Sequence, residues 1–265
     1  MSAFDPAQDI RVIREPAVYL VGRQVVDQPE IDRFLADHGV SWKTDTEVAG
    51  EYLAEVSGRL CYMSFARPRP GGNRTYLGHI LEVGHGSVLE HAVWNFVITG
   101  VSRSFTHELV RHRHFSYSQL SQRYVDESVA EYVEPDCVAA DPELHRLWLG
   151  AVAHSHRAYV QLAEKLQDHF KDEPDRTLRR KLARQAARSV LPNATETKIF
   201  VTGNARALRH FVEMRASRHA EVEIRKVAVQ MLRILQQEAP NLFGDYDLVP
   251  LPDGTFEAVT PHRKV

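Results

Sequence analysis

Between Pro142 and Phe170 the chain repeats apolar side chains at one period. Leu144, Leu147, Trp148, Ala151, Val152, Tyr159, Leu162, Leu166 and Phe170 recur near the 3.6-residue spacing that gives an α-helix one apolar side. This describes a long amphipathic helix. The next stretch, "DRTLRRKLARQAARSVLP", carries a second stripe of Leu178, Leu182 and Ala186, while Arg180, Arg184 and Arg188 follow one another at i, i+4 on another face. Strand-like segments stand elsewhere: Ala17 to Val26, Ala92 to Ser102 and Thr197 to Gly203, the second rich in β-branched and aromatic residues and short of charge. The fold expected is α/β or α+β, a small, largely antiparallel sheet wrapped by helices, with a long helical segment between.

Smaller elements fill the gaps. Glu51 to Ser64 reads as a helix with Leu53, Val56 and Leu60 on one face, and "ARPRPGGNR" (Ala66 to Arg74) as a loop, because its prolines and paired glycines oppose regular structure. A short helix over Tyr76 to Val83 follows. Ser102 or Ser104 is placed to cap a helix carrying Phe105, Leu109 and Val110, and Asn204 to cap one running to about Ala216. His219 to Gln237 gives another helix, and "LVPLPDGTFEAV" a hairpin around Asp253 and Gly254. With no repeat and no low-complexity linker, residues 1–265 read as one interwoven domain, 1–16 being an N-terminal extension.

Composition narrows the function classes. A domain of 265 residues with 43% hydrophobic and 26% charged side chains is an ordinary globular protein. The net charge is −2, so any basic character is local. Cys61 and Cys137 form no CxxC pair, which removes a disulfide framework or a thiolate zinc knot and fits a reducing compartment. Without a leader pattern or an apolar run of about eighteen residues, the chain reads as cytoplasmic and free of the membrane. Cys61, amid Leu60, Tyr62 and Met63, reads as a core thiol, and Cys137, in "VEPDCVAADP", as a loop residue. Neither is expected to be a nucleophile.

The local exception to the balanced charge is "RHRHFSYSQLSQRY", Arg111 to Tyr124. Three arginines with little acid nearby repel one another and are easiest to rationalise around a bound anion. Ser116, Ser118, Gln119, Ser121 and Gln122 add directional donors, as a phosphate or a nucleobase requires. A nucleotide-sized ligand follows. The familiar nucleotide devices are missing: Gly84 and Gly86 lack the third glycine, where Leu89 stands, and there is no P-loop. His107 and His112, five apart, lie roughly 140° apart around a helix, so no metal is expected. His85 and His91 are read as structural hydrogen-bonding residues. A nucleic-acid binder is disfavoured by the acidic balance.

The same residues resemble the signature of the flavin-dependent thymidylate synthases, the ThyX family. Its spacing is Arg-His-Arg, two residues, Ser, four residues, Ser, one residue, Arg, and Arg111, His112, Arg113, Ser116, Ser121 and Arg123 fill each fixed position. The likeness extends to "VGHGSVLEHA", "RRKLARQAARSVLPNATETK" and "VTGNARALRHFVEMRASRHAEVEIRK", from about Glu51 to Pro240. It implies reductive methylation of dUMP to dTMP, with methylenetetrahydrofolate as carbon donor and FAD reduced by NADPH. It also implies a homotetramer with shared active sites. By position, Ser87, Arg111, His112, Arg113, Gln119, Asn204, Ala205, Arg206 and His210 resemble flavin contacts. Glu108, Leu109, Val110, Arg111, Gln119, Leu120, Ser121, Gln122, Arg123, Arg188 and Arg215 resemble nucleotide contacts, with Arg215 the catalytic arginine at the uracil. Glu108 departs from a glutamine in some relatives.

Overall fold

The computed structural model describes residues 10–67 and 70–263. Strands β1 (Arg11–Ile13) and β2 (Ala17–Arg23) precede helices α1 (Gln28–Asp37), α2 (Ala49–Leu60) and α3 (Gly72–Glu82). Then come β3 (Val93–Ser102), α4 (Arg103–Leu109), β4 (Ser116–Gln119) and β5 (Glu131–Val133), followed by α5 (Pro142–His169) and α6 (Arg176–Ala187). The chain ends with β6 (Glu196–Asn204), α7 (Ala205–Arg215), α8 (Val222–Glu238), β7 (Asp247–Pro250) and β8 (Phe256–Val259). The central sheet is antiparallel with strand order β2-β3-β6-β4, and β7 pairs antiparallel with β8 as the expected hairpin. By contrast β1 and β5 pair parallel. The described residues divide into two compact units. One holds those up to Ala17 with Ile98–Arg111 and Ser118–Ile199, the other those of Val18–Val97, His112–Tyr117 and Phe200–Val265.

In the first unit α5 starts where the sequence says it must. Pro142 supplies a first-turn φ, and Asp141 accepts hydrogen bonds from the amides of Glu143 (2.8 Å) and Leu144 (3.2 Å). Asp175 caps α6 in the same way. Ile10, Tyr132, Val152 and Ala153 form a core cluster under Val12, Ala130, Trp148 and Leu149. Residues 10–13, inside the segment expected to be an extension, thus contribute a core side chain and a paired strand. Glu134, whose side chain is fully buried, takes Arg14 Nε (3.0 Å) on one oxygen and His145 Nδ1 (2.5 Å) on the other. The apolar stripe of α5 is only partly covered, however: Leu144, Leu147 and Leu162 are exposed.

The second unit corrects several boundaries. β2 ends at Arg23, short of Val26. Helix α2 stops at Leu60, after which Met63 takes a left-handed φ of 44°. Its buried face is not the Leu53, Val56, Leu60 stripe but Gly50, Glu51, Ala54, Glu55, Gly58 and Arg59. Polar residues are tolerated there because they are satisfied: Arg59 bonds Glu55, Thr46 bonds Glu51, and Asn241 donates twice to Glu51. A side chain at Gly58 would strike the Tyr76 hydroxyl at 2.5 Å. The loop expected over Ala66 to Arg74 closes early, since α3 already begins at Gly72. There φ is +66° and a Cβ would fall 1.9 Å from an Asp45 oxygen, while the other Asp45 oxygen accepts from the Asn73 amide. Pro68 and Arg69 of that loop lie outside the described residues.

Candidate functional site

In the first unit the signature grows out of a capped helix. Ser102, not Ser104, caps α4, its Oγ accepting from the Phe105 amide at 3.0 Å. The Arg103 and Ser104 amides are bonded to the carbonyls of Thr195 and Asn193, which fastens the start of α4. Glu108 is half-buried, Leu109 fully buried, and Val110 and Arg111 exposed. Leu109 can therefore meet a ligand only through its backbone. Gln119, at the end of β4, donates to Thr106 Oγ1 (3.2 Å) and Thr197 Oγ1 (3.4 Å), and the Leu120 amide bonds the Lys198 carbonyl (2.9 Å). The chain then turns. Amides of Tyr124 and Val125 both reach the Ser121 carbonyl, Gln122 is buried with its amide nitrogen unpartnered, and Arg123 is exposed over the Tyr124 ring. Arg184 clamps this turn from α6, donating to the Tyr124 carbonyl and to Asp126, both at 2.7 Å. Arg180 is a solvated residue of the same helix, and Arg188 follows its last turn, half-buried.

Charge pairing separates these arginines from several others in the chain, though not from exposed ones such as Arg146, Arg176 and Arg180. Arg14, Arg23, Arg59, Arg184, Arg206, Arg209 and Arg225 each hold a carboxylate. Among the described residues no side-chain acceptor meets Arg103, Arg111, Arg123 or Arg188 in the first unit, or Arg113 in the second. Arg103 is the residue that sequence reasoning missed. Burial and the neighbouring Arg188 guanidinium pull it below the ordinary arginine range, with Glu127 acting against them. Two like charges half-buried side by side form a ready seat for an anion. A sequence signal was present: Arg103 is the first residue of a helix, where the backbone dipole disfavours a cation unless an anion joins it.

In the second unit the remaining residues gather around one imidazole. Arg215 Nε lies 2.9 Å from His112 Nε2, and the His112 ring sits 6.0 Å from His210, 5.1 Å from Phe211 and 6.1 Å from Phe115. Tyr117 donates its hydroxyl to the His112 carbonyl at 2.8 Å, and its burial pushes the phenol well above its ordinary pKa. Asn204 caps α7 as expected, accepting from the Ala207 amide at 2.8 Å. Leu208, Arg209, Phe211 and Val212 of α7 face inward, whereas Arg206, His210 and Met214, at i, i+4 and i+8, are exposed. Ala205 is buried, its amide bonded to the Ala92 carbonyl. The single helical turn Gly86–His91 packs beside α7, with Ser87 exposed on it and Glu90 paired to Arg206 at 2.6 Å.

Three expectations fail. Cys61 is exposed, because α2 ends one residue before it and its thiol only reaches back to the Ser57 carbonyl. Cys137 is exposed on a helical turn, Asp136–Ala139, instead of in a loop. His85 and His91 are also exposed, and neither side chain makes a hydrogen bond among the described residues.

The profile of the family described as "Thymidylate synthase complementing protein" matches residues 45–241. The chain is 56% identical over 230 residues to the flavin-dependent thymidylate synthase of Mycobacteroides abscessus and 55% identical to that of Mycolicibacterium gilvum. In each case 86% of this chain and 92% of the relative are covered. Among solved structures it is similar to the UMP/dUMP methylase PolB from Streptomyces cacaoi bound with 5-Br dUMP, with a TM-score of 0.63 at 20% identity, covering 89% of this chain and 96% of that one. The last likeness is one of fold.

Proposed function

The chain belongs to the flavin-dependent thymidylate synthases, enzymes of nucleotide methylation, and within that activity we propose that it converts dUMP to dTMP with methylenetetrahydrofolate as carbon donor and NADPH as reductant of a bound FAD. The observation that carries this reading is the half-buried pair Arg103 and Arg188, beside signature arginines that meet no carboxylate among the described residues. Arg103, Arg123 and Arg188, with Ser121 and the turn amides, hold the nucleotide phosphate; Glu108, Leu109, Val110, Arg111, Gln119, Leu120 and Gln122 complete its shell. The flavin is held by Ser87, His112, Arg113, Asn204, Ala205 through its backbone, Arg206 and His210, with Arg111 and Gln119 shared. The exposed α7 stripe suits that role, since it presents a cation, an imidazole and a thioether on one side. Bound FAD supplies the hydride that completes the methyl group.

Arg215 acts on the pyrimidine. Its guanidinium, aimed by the bond to His112, favours loss of the N3 proton or stabilises charge gathering on a ring oxygen as the carbon attacks the methylene donor. That charge exists mainly in the transition state, so the interaction raises turnover more than binding. No thiol is required.

The active assembly is a homotetramer in the cytoplasm, with sites shared between subunits. Supporting it are Leu144, Leu147 and Leu162 on α5, and Tyr19 and Val21 on β2, apolar side chains exposed in the single chain that a second copy would cover. Both cysteines are unpaired, which suits a reducing compartment. Among the described residues no helix is long and apolar enough to cross a membrane.

The purified protein tests the reading. It should be yellow, its flavin bands should bleach with NADPH once dUMP is present, and adding methylenetetrahydrofolate should yield dTMP. A bleached flavin without dTMP would leave only a reductase.

A further inference from the structure

Behind the Arg103 and Arg188 pair the first unit buries a carboxyl group that the chemistry above does not use. Glu127 opens a single helical turn, Glu127–Val129, capped by Asp126, and is 4% exposed. Its amide reaches the Tyr159 hydroxyl at 3.4 Å, yet its Oε1 has no hydrogen-bond partner. The charged and titratable groups around it are Arg103 from α4, Glu196 and Lys198 from β6, Tyr132 from β5, Tyr159 from α5 and the adjacent Asp126. Glu196 is already satisfied, by the Gly100 amide and by Lys198 Nζ, both at 2.9 Å. Asp126 is held by Arg184. Arg103 is thus the cation left to Glu127, and Arg103 also faces Arg188.

A buried carboxylate oxygen without a protein partner is an exception that asks for a reason. We infer that Glu127 is a positioning residue for the phosphate seat: it balances the charge of Arg103 in the free enzyme and takes up a proton from solvent when a phosphate monoester docks on Arg103 and Arg188. The inference rests on the reading that the dUMP phosphate lies on those two arginines. Its physical basis is simple. A dianion drawn to Arg103 enters the field of the buried carboxylate, which lies close enough to feel that guanidinium without bonding it, and protonation removes the repulsion. Burial has already lifted the Glu127 carboxyl to about 7, against the pull of Arg103, so the proton is available near neutral pH.

The test uses the FAD-loaded enzyme and dUMP above pH 7, where the phosphate, with a second pKa of about 6, is already a dianion. Calorimetric titrations at pH 7.5 in two buffers of different protonation enthalpy count the protons moved, and Kd for dUMP is followed from pH 7 to 8.5. The wild type should take up part of a proton, and its Kd should rise with pH by up to about tenfold per unit. Glu127→Gln should show neither effect and should bind dUMP more tightly than the wild type at pH 8.5. Normal binding without proton uptake by the wild type would overturn the inference even if the variant failed to fold. So would unchanged uptake in the variant, or a loss of affinity equal at every pH, the mark of a purely structural residue. Failure of the wild type to bind dUMP at all would instead overturn the nucleotide reading on which the inference stands.

Discussion

Arg215 Nε donates to His112 Nε2 across 2.9 Å, joining the end of α7 to the middle of the Arg-His-Arg triplet. Because that imidazole nitrogen accepts, a neutral His112 carries its proton on Nδ1. The bond also changes how two expected ligands of the site are related. His210 and Arg215 are five residues apart, which puts them about 140° apart around the helix and not on one face. His112 makes them neighbours instead, bonding the arginine and packing its ring edge to face with His210.

Turnover should depend on that bond. Arg215→Ala is expected to lower kcat at saturating dUMP by about 10²–10³-fold, the usual cost of removing one donor aimed at developing charge. Arg215→Lys should recover little, since it supplies charge without the planar fork. His112→Ala should lower kcat too, and the double variant should be no worse than Arg215→Ala alone, as for residues acting as a unit. Steady-state methyl transfer beside flavin content measures this. Fully additive losses would show that His112 does not act through Arg215.

Nucleotide affinity should depend on the other pair. Removing a charge-assisted bond to phosphate costs about 1.5–3 kcal/mol, so Arg103→Ala and Arg188→Ala are each expected to raise Kd for dUMP by about 10–100-fold while leaving turnover at saturation much less affected. Equilibrium binding by fluorescence or calorimetry reads this directly. An Arg103→Ala enzyme with unchanged Kd would exclude Arg103 from the phosphate seat.

Where periodicity was strong, the sequence was legible. The helices α5 and α6, the caps Ser102 and Asn204 and the hairpin of β7 and β8 all follow from local chemistry that tertiary structure did not override, although the α6 stripe of Leu178 and Ala186 is exposed and the helix buries Ala183 and Ala187 instead. Weak patterns failed. Helix α1 was not seen, for it buries only Leu35, and β4, "SYSQ", has no apolar alternation to announce a strand. On α2 the apolar side chains were the wrong guide, because its core face is built from glycines and satisfied charges. The arginines of the signature were visible in the sequence through their concentration and spacing. Arg103 was not, since its pairing with Arg188 is made by folding and leaves only a helix-start cation as a trace.

Both thiols are exposed, which makes the cysteine prediction sharper than burial would have. The double variant Cys61→Ala, Cys137→Ala should fold, bind flavin and retain methyl transfer, because both side chains are exposed and neither belongs to the residues assigned to the flavin or the nucleotide. Activity before and after treatment of the wild type with a thiol reagent gives a second reading. Loss of all turnover in a folded, flavin-loaded double variant would restore a covalent thiol mechanism.

The outward stripe of α7 depends on what anchors its inner face. Arg209 is buried and donates to the Leu242 carbonyl (2.6 Å) and to both oxygens of Asp245 (2.6 and 2.7 Å), over the ring of Tyr246. Arg209→Ala leaves Asp245 with the Thr260 hydroxyl but without its cation and should cost about 3–5 kcal/mol. Chemical denaturation should show the loss, and flavin retention should fall with it, since Arg206 and His210 share the helix. Undiminished stability would mean that Asp245 finds another partner.

Glu127 makes a last prediction that does not involve nucleotide. Burial holds its carboxyl at about 7 in the folded chain against an ordinary 4.5, so between those values the folded state binds more protons than the unfolded one. Stability contributed by this group is therefore full below about pH 4.5, declines as pH rises toward 7, and stays at its low value above. Groups such as Asp245, held below its usual range by Arg209 despite burial, act in the opposite direction at lower pH, so the wild-type profile alone is not diagnostic. The difference between the wild type and Glu127→Gln isolates the one carboxyl. Melting temperatures of the two should be close at pH 5, and the variant should melt higher at pH 8, where the wild type carries a buried carboxylate with one oxygen unpartnered. A variant that melts lower than the wild type at pH 8 would mean that the attraction of Arg103 outweighs the cost of burying the charge.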